Sequence, residues 1–168
     1  MKSADCFSAW FNPSLNSFGR IDASNTLSGA TWSPSTVTYT GNNRTHMVRI
    51  PDAGRFEVRH ADGSANPYLL QAGMLGLGLD GINNKRSPGK RLDINMYTQG
   101  HKLKRVKKLP KTLDKALKLF KESNVAKNAF GSSVVSKYIK LKNRELKEYD
   151  KQPEDQKSEW SRNNAIDC

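Results

Sequence analysis

Five residues between positions 44 and 59 are of types that could do chemistry together: Arg44, Arg49, Arg55, Glu57 and Arg59. Arginine presents a rigid fork of donors that clamps carboxylate or phosphate, and a glutamate among such forks can hold a hard divalent cation bridging the phosphates. Arg55, Glu57 and Arg59 are two apart, so an extended chain carries them on one face and puts Phe56 and Val58 on the other. One carboxylate then stands between two guanidiniums over a hydrophobic floor. Arg44 and Arg49 add two cationic arms. They are five apart, so both reach one ligand only if Arg44 lies in the turn before the strand or a bulge intervenes. The same pattern also describes a solvated sheet face stitched by Arg–Glu pairs, each worth little. Alternation alone leaves both readings open.

The elements that must position these residues are legible around them. Val48 and Ile50, then Phe56 and Val58, alternate with polar neighbours on either side of the polar turn Pro51-Asp52-Ala53-Gly54, the period-2 pattern of two half-buried strands. Val37 and Tyr39 alternate with Thr36 and Thr38 and suggest a short strand leading into the turn Gly41-Asn42-Asn43. Asn66-Pro67 is a helix start, because Asn caps well and Pro at the first helical position sacrifices no hydrogen bond. From Tyr68 through Ile82 that helix is apolar nearly all round and is expected to be buried, with Gly73, Gly76, Gly78 and Gly81 marking close backbone approach. Leu113, Ala116, Leu117 and Phe120 recur at helical spacing behind Asp114. A second stripe runs through Phe130, Val134, Val135, Tyr138, Leu141, Leu146 and Tyr149, with lysines opposite, and a last short helix is expected from Pro153 to Trp160. These helices are expected to pack on the sheet.

The length, 168 residues, suits one domain with a sizeable core. Apolar residues make up 36% and the net charge is +12, which points to anionic partners or to an excess carried by solvated helices. The stretch from His101 to Lys111 carries six cations and no acid, the main support for a nucleic-acid-binding module. No aromatic platform is interleaved with it, so a solvated loop is the better reading and nucleic acid is not the expected partner. Cys6 and Cys168 lack metal-ligand or CxxC spacing and imply no disulfide framework, as expected in a reducing cytosol. No run approaches the roughly 18 apolar residues a membrane-spanning helix needs, so a cytoplasmic protein without a membrane partner is expected. Residues 1–40 read as loop. His46 reads as a packed or surface histidine, and His60 receives no role.

Five blocks occur in one order: Asn12-Pro13-Ser14-Leu15-Asn16-Ser17-Phe18 with Arg20; Gly41-Asn42-Asn43-Arg44; Arg55-Phe56-Glu57-Val58-Arg59; Asp62-Gly63 with Asn66-Pro67-Tyr68-Leu69; and Gly78-Leu79-Asp80-Gly81-Ile82. Together they resemble the C-terminal half of a glutamine synthetase catalytic domain. Thr26-Leu27-Ser28-Gly29-Ala30-Thr31-Trp32 resembles the type III, or glutamine-synthetase-like, branch.

That resemblance implies an α+β fold, antiparallel strands packed with helices. It divides the chain into a loop-rich substrate segment (1–40), a strand pair carrying the site (41–60) and a mainly helical remainder (66–168). The family's N-terminal β domain and the first half of its catalytic domain are expected to be absent, which would strand the aromatics Phe7, Trp10 and Phe11. The implied activity is an ATP-dependent ligation of glutamate and ammonia into glutamine through γ-glutamyl phosphate, part of nitrogen metabolism, with Mg2+ or Mn2+ as cofactor. By resemblance Arg20 holds glutamate, Arg44 touches glutamate and ATP, Arg49 and Arg55 lie at the ATP phosphates, Glu57 is the metal ligand, and Arg59 contacts the carboxylate to be phosphorylated. Arg44 and Arg59 are the expected catalytic residues. Phe18 and Gly19 depart from the family's tyrosine and lysine, and Thr26 stands where the common bacterial enzyme has a flap glutamate. A γ-glutamylamide ligase using another amine is therefore an open alternative. Tyr97 resembles the site of a regulatory adenylylation, but Thr98-Gln99-Gly100 replaces the usual continuation, and an exposed loop tyrosine is expected. The complete enzyme is expected to be a homo-oligomeric ring, and the isolated chain nearly inactive.

Overall fold

A computed structural model describes residues 1, 3–23 and 32–166, with the side chains of 165 and 166 excepted. Thr26, most of the segment that points to the type III branch, and Cys168 lie outside the described residues. Three short strands form one sheet in the order β1 (Tyr39–Thr40), β2 (Val48–Asp52), β3 (Arg55–Val58). The predicted hairpin is present. β2 and β3 are antiparallel, with Val48 opposite Val58 and Arg49 opposite Glu57. The register slips between Arg49 and Asp52, around Pro51, whose missing N–H suits it to an irregular position in a ladder. Gly54 closes the turn at φ +76°. β1 joins β2 in parallel rather than antiparallel fashion, Tyr39 beside Val48. Parallel pairing needs a crossover connection, and the residues between β1 and β2 make it without a helix.

Seven helices are described: α1 (Ser8–Phe11), α2 (Pro67–Asn83), α3 (Met96–Gln99), α4 (Leu113–Glu122), α5 (Asn124–Phe130), α6 (Ser132–Asp150) and α7 (Lys157–Ile166). The α+β class is as expected. The Asn66 side chain caps α2, accepting from the amides of Tyr68 at 3.1 Å and Leu69 at 3.2 Å. Thr112 and Ser123 cap α4 and α5 in the same way. The predicted stripe of α4, Leu113, Ala116, Leu117 and Phe120, is fully buried.

The core differs from expectation. Phe7, Trp10 and Phe11 are not stranded: they are the centre of the molecule. Trp10 stacks on Phe130 at 4.8 Å and lies 5.1 Å from Phe120, and its indole N–H donates to the Leu69 carbonyl. Tyr138 donates its hydroxyl to the Ala9 carbonyl at 2.7 Å. A short N-terminal segment that sequence reads as loop buries its aromatics because α2, α4, α5 and α6 enclose it. The helices therefore pack around α1 and on one another rather than on the sheet. The sheet has its own small cluster, Ala4, Met47 and Leu109, with Val37 and Val48 against it.

Two stripes are rotated relative to the sequence reading. On α6 the inward residues are Val135, Tyr138, Ile139, Lys142 and Leu146, whereas Val134 and Leu141 are exposed. Lys142 lays its stem along the helix surface and pairs its ammonium with Glu145 at 2.7 Å. On α2 only Gly73 is fully buried, so this helix is not surrounded by protein. Among the described residues no helix is long and apolar enough to cross a membrane.

Candidate active site

The β2–β3 ladder builds the site. Because Arg49 and Glu57 are directly opposite, their side chains rise from the same face of the sheet. Arg49 Nη1 donates to both Glu57 oxygens, at 2.7 and 2.8 Å, while its Nε donates to Asn42 Oδ1 at 3.0 Å. Nη2 of Arg49 also bonds Asn42 Oδ1. Arg55 stands on the same strand face, its Nη2 3.8 Å from Glu57 Oε1 and 3.7 Å from Asp52, and is largely solvated. The hydrogen bond from Arg49, with help from the charges of Arg49, Arg55 and Arg59 and against partial desolvation, holds the Glu57 carboxyl below the usual carboxylate range.

Arg44 lies in the turn before β2, the placement that lets it share a ligand with Arg49. That turn is pinned: the Thr45 amide and hydroxyl donate to Asn43 Oδ1 at 2.9 and 2.8 Å, Asn43 donates to the Ile94 carbonyl at 3.0 Å, and Met96 N–H donates to Thr45 Oγ1 at 2.9 Å. The same bonds fix α3 beside the hairpin and bring up Tyr97, which meets Trp32 edge-on at 4.8 Å. Arg59 follows β3, tied by its amide to the Met47 carbonyl at 2.8 Å. Its Nε is buried without a hydrogen-bond partner. Burial lowers the pKa of its guanidinium, which Tyr97 and Glu57 counter and Arg44 and Arg49 reinforce, so all four groups share its field. An arginine held in place with an unpaired inner nitrogen, beside two other guanidiniums and one carboxylate, is a site with spare positive charge.

Arg20 comes from the 3-10 turn Asn16–Arg20 and reaches the segment just past β3. Its Nη2 donates to the Ala61 carbonyl at 3.2 Å and its Nε lies 3.1 Å from Asp62 as an ion pair without the alignment of a hydrogen bond. Arg44, Arg49, Arg55, Glu57 and Arg59 are thus one cluster, and Arg20 stands at its edge. Sequence reasoning missed Asn42, which orients Arg49, and Asp62, which orients Arg20. Both sit in the quoted blocks, but a polar loop residue carries no signal for the arginine it will hold. Tyr97 is exposed, as expected, but it lies on the short helix α3 rather than in a loop, and it acts on Arg59. The expected hydrophobic floor is only half there: Val58 is partly covered, but Phe56 is 61% exposed.

His46 is a packed histidine, as expected, with Nδ1 3.0 Å from Thr38 Oγ1 and Nε2 2.9 Å from the Ile94 carbonyl. His60 is fully buried against Phe11, with neither ring nitrogen paired. Desolvation, aided by the Arg20 charge, pushes its pKa down to about 4. As to a metal, no group of three His, Cys, Asp or Glu that could hold one exists among the described residues. Glu57 fits as a single hard oxygen donor, half exposed and ionised. A Mg2+ or Mn2+ there would need its other oxygens from phosphate, water or further polypeptide.

The family model described as glutamine synthetase, catalytic domain, matches residues 1–161. A glutamine synthetase of Rhizobium leguminosarum bv. phaseoli is 47% identical over 167 residues, 99% of this chain and 38% of that protein. A glutamate–methylamine ligase of Methyloversatilis universalis is 36% identical over 152 residues, 89% of this chain and 34% of that protein. A solved structure described as a GmaS/ADP complex is 46% identical and superposes with a TM-score of 0.83 over 99% of this chain and 37% of its own. The chain therefore spans little more than a third of the length of these relatives. It belongs to the glutamine synthetase family, within the catalytic domain.

Proposed function

We propose that this chain carries the nucleotide- and glutamate-gripping part of an ATP-dependent glutamate amide ligase that makes glutamine. The observation that carries the reading is the cluster of Arg49, Arg55 and Arg59 around Glu57, with Arg44 in the field of Arg59, on a fold shared with the glutamine synthetases. In the reaction the glutamate γ-carboxylate oxygen attacks the γ-phosphorus of ATP and ADP leaves. Ammonia then attacks the acyl carbon of the γ-glutamyl phosphate, phosphate leaves, and the nitrogen gives up a proton.

Such phosphoryl transfer depends on positioning and on neutralising charge. Arg44 reaches both the glutamate and the phosphates, Arg49 and Arg55 face the phosphates, Arg59 holds the carboxylate being activated, and Arg20 orients the substrate. A divalent cation on Glu57, when bound, neutralises phosphate charge. Arg49 already turns one guanidinium nitrogen to that carboxylate and keeps it ionised. A second reading, in which methylamine replaces ammonia, is favoured by the likeness to the glutamate–methylamine ligase. Calorimetric titration with a non-hydrolysable ATP analogue and glutamate tests the proposal: binding that survives unchanged in both Arg44→Ala and Arg59→Ala would sink it. The 168-residue chain alone is expected to bind these ligands and to form no γ-glutamyl product; product formation by the purified chain would contradict that.

A further inference from the structure

Positive charge is unevenly placed along this chain. The stretch from Lys102 to Lys151 holds 16 of the 28 Lys and Arg residues and only 5 of the 16 acids, so it carries all but one of the 12 net positive charges. Part of that excess faces one groove of about 940 Å3 between α6 and the ends of α4 and α5. Val135, which is buried, and Ile139, half-buried, give the groove an aliphatic lining. Lys121 and Lys127 stand on the α4–α5 side, and Lys140, Arg144, Lys147 and Lys151 on the α6 side.

The α6 side is a row. Its four cations recur at spacings of four, three and four, so they share one helix face over about 16 Å, at roughly 1.5 Å per residue. Lys151 pairs with Glu148 at 3.1 Å. Among the described residues, Lys121, Lys127, Lys140, Arg144 and Lys147 have no carboxylate within ion-pair distance. The inward Lys142 of the same helix, by contrast, is matched by Glu145 at 2.7 Å. Like charges three and four apart repel and weaken a helix. No ion pair of the described chain offsets that at Lys140, Arg144 or Lys147, so the row has a cost that an outside anion would remove.

We infer that this groove docks an acidic amphipathic helix of another polypeptide, its apolar side on Val135 and Ile139 and its acidic flank along the α6 row. The period of the row selects a helix, because acids three and four apart on a partner helix meet each cation in turn. The lining selects polypeptide over nucleic acid. It is aliphatic between the cations and holds no aromatic side chain on which a base could stack. A second copy of this chain is the poorer occupant, since it would bring cations against cations. None of the groove residues belongs to the arginine cluster of the hairpin, so the inference stands apart from the ligase reading.

The test follows the fluorescence anisotropy of a labelled helical peptide of about 20 residues, built from leucine, alanine and glutamate, with glutamates three and four apart beside a leucine stripe. At about 0.15 M salt the 168-residue chain is expected to bind it at least tenfold tighter than a peptide of the same composition in scrambled order. Lys140→Glu/Lys147→Glu should weaken that binding at least tenfold. The same variant should keep or raise the chain's urea midpoint, because an acid four residues before Arg144 and another before Lys151 turn repulsions along α6 into attractions. Lys102→Glu/Lys104→Glu, an equal change of net charge outside the groove, should alter affinity less than twofold. Equal binding of the two peptides overturns the inference, and so does an equal loss of affinity in Lys102→Glu/Lys104→Glu. Affinity lost only together with a lowered midpoint would assign these lysines to the fold and overturn it too. Tighter binding of a DNA duplex, a single-stranded oligonucleotide or a phosphatidylserine vesicle than of the helical peptide would overturn it in favour of that anion.

Discussion

The helical core around α1 and the hairpin that carries the arginines follow opposite rules. In the core the polar tips of Trp10 and Tyr138 find carbonyls, and the rings of Phe7, Phe11, Phe120 and Phe130 meet one another. In the hairpin three guanidiniums, those of Arg49, Arg55 and Arg59, share the Glu57 carboxylate, Arg59 keeps an unpaired nitrogen, and Phe56 lies open. The polar tips of Trp10 and Tyr138 are paired, although the buried Asn12 and His60 side chains are not, whereas the hairpin keeps guanidinium donors open for the proposed ligands. A group already satisfied by its own chain has nothing left to offer a ligand.

This contrast can be broken at either end. The largest effect is expected in the core: Trp10→Ala should cost roughly 3–5 kcal/mol by removing a buried aromatic. It should be read as a lowered urea midpoint, with ligand affinity unchanged wherever the variant remains folded. Next is His60, between the two regions. Its folded pKa, about 4, lies below the ordinary histidine value of 6.5. The unfolded state therefore binds the extra proton first, so the stabilisation is fully present above pH 6.5 and is lost as pH falls toward 4. That is on the order of 3 kcal/mol across the window, and His60→Leu should flatten the corresponding fall in urea midpoint. A slope equally steep in the variant would show that His60 is not its source.

In the hairpin, Arg59→Ala should weaken binding of glutamate and the ATP analogue by about tenfold or more, the loss of a charge-assisted bond worth about 1.5–3 kcal/mol. Its thermal midpoint should stay near that of the unaltered chain. A fall in midpoint without loss of affinity would reverse the roles assigned to the two regions. The smallest effect on stability is expected from Glu57→Gln, because the Arg49–Glu57 pair is half exposed and screened by salt. Its signature should be loss of the Mg2+-dependent component of nucleotide binding, measured by titration with and without the metal.

The Arg49–Glu57 pair is a sheet stitch, as the plainer reading of the arginine face has it, and the guanidiniums beside it are the groups on which the proposed ligand site rests. The roles of the individual arginines came from resemblance, since strand periodicity assigns a face and no ligand. Asn42 and Asp62 were invisible as orienting groups, because their partners are set by chain segments that meet only in three dimensions.

Local chemistry was enough to specify the hairpin from 48 to 58, the start of α2 at Asn66-Pro67 and the inward stripe of α4. Alternation, capping and helical spacing act between residues a few positions apart, and backbone stereochemistry makes them readable in one dimension. The tertiary structure alone decided that Phe7, Trp10 and Phe11 form the centre, that β1 lies parallel to β2, that α6 turns Lys142 inward, and that one side of α2 stays uncovered. Each of these depends on which distant segment arrives to remove water from a surface. An apolar residue specifies that it should be covered, but not by what.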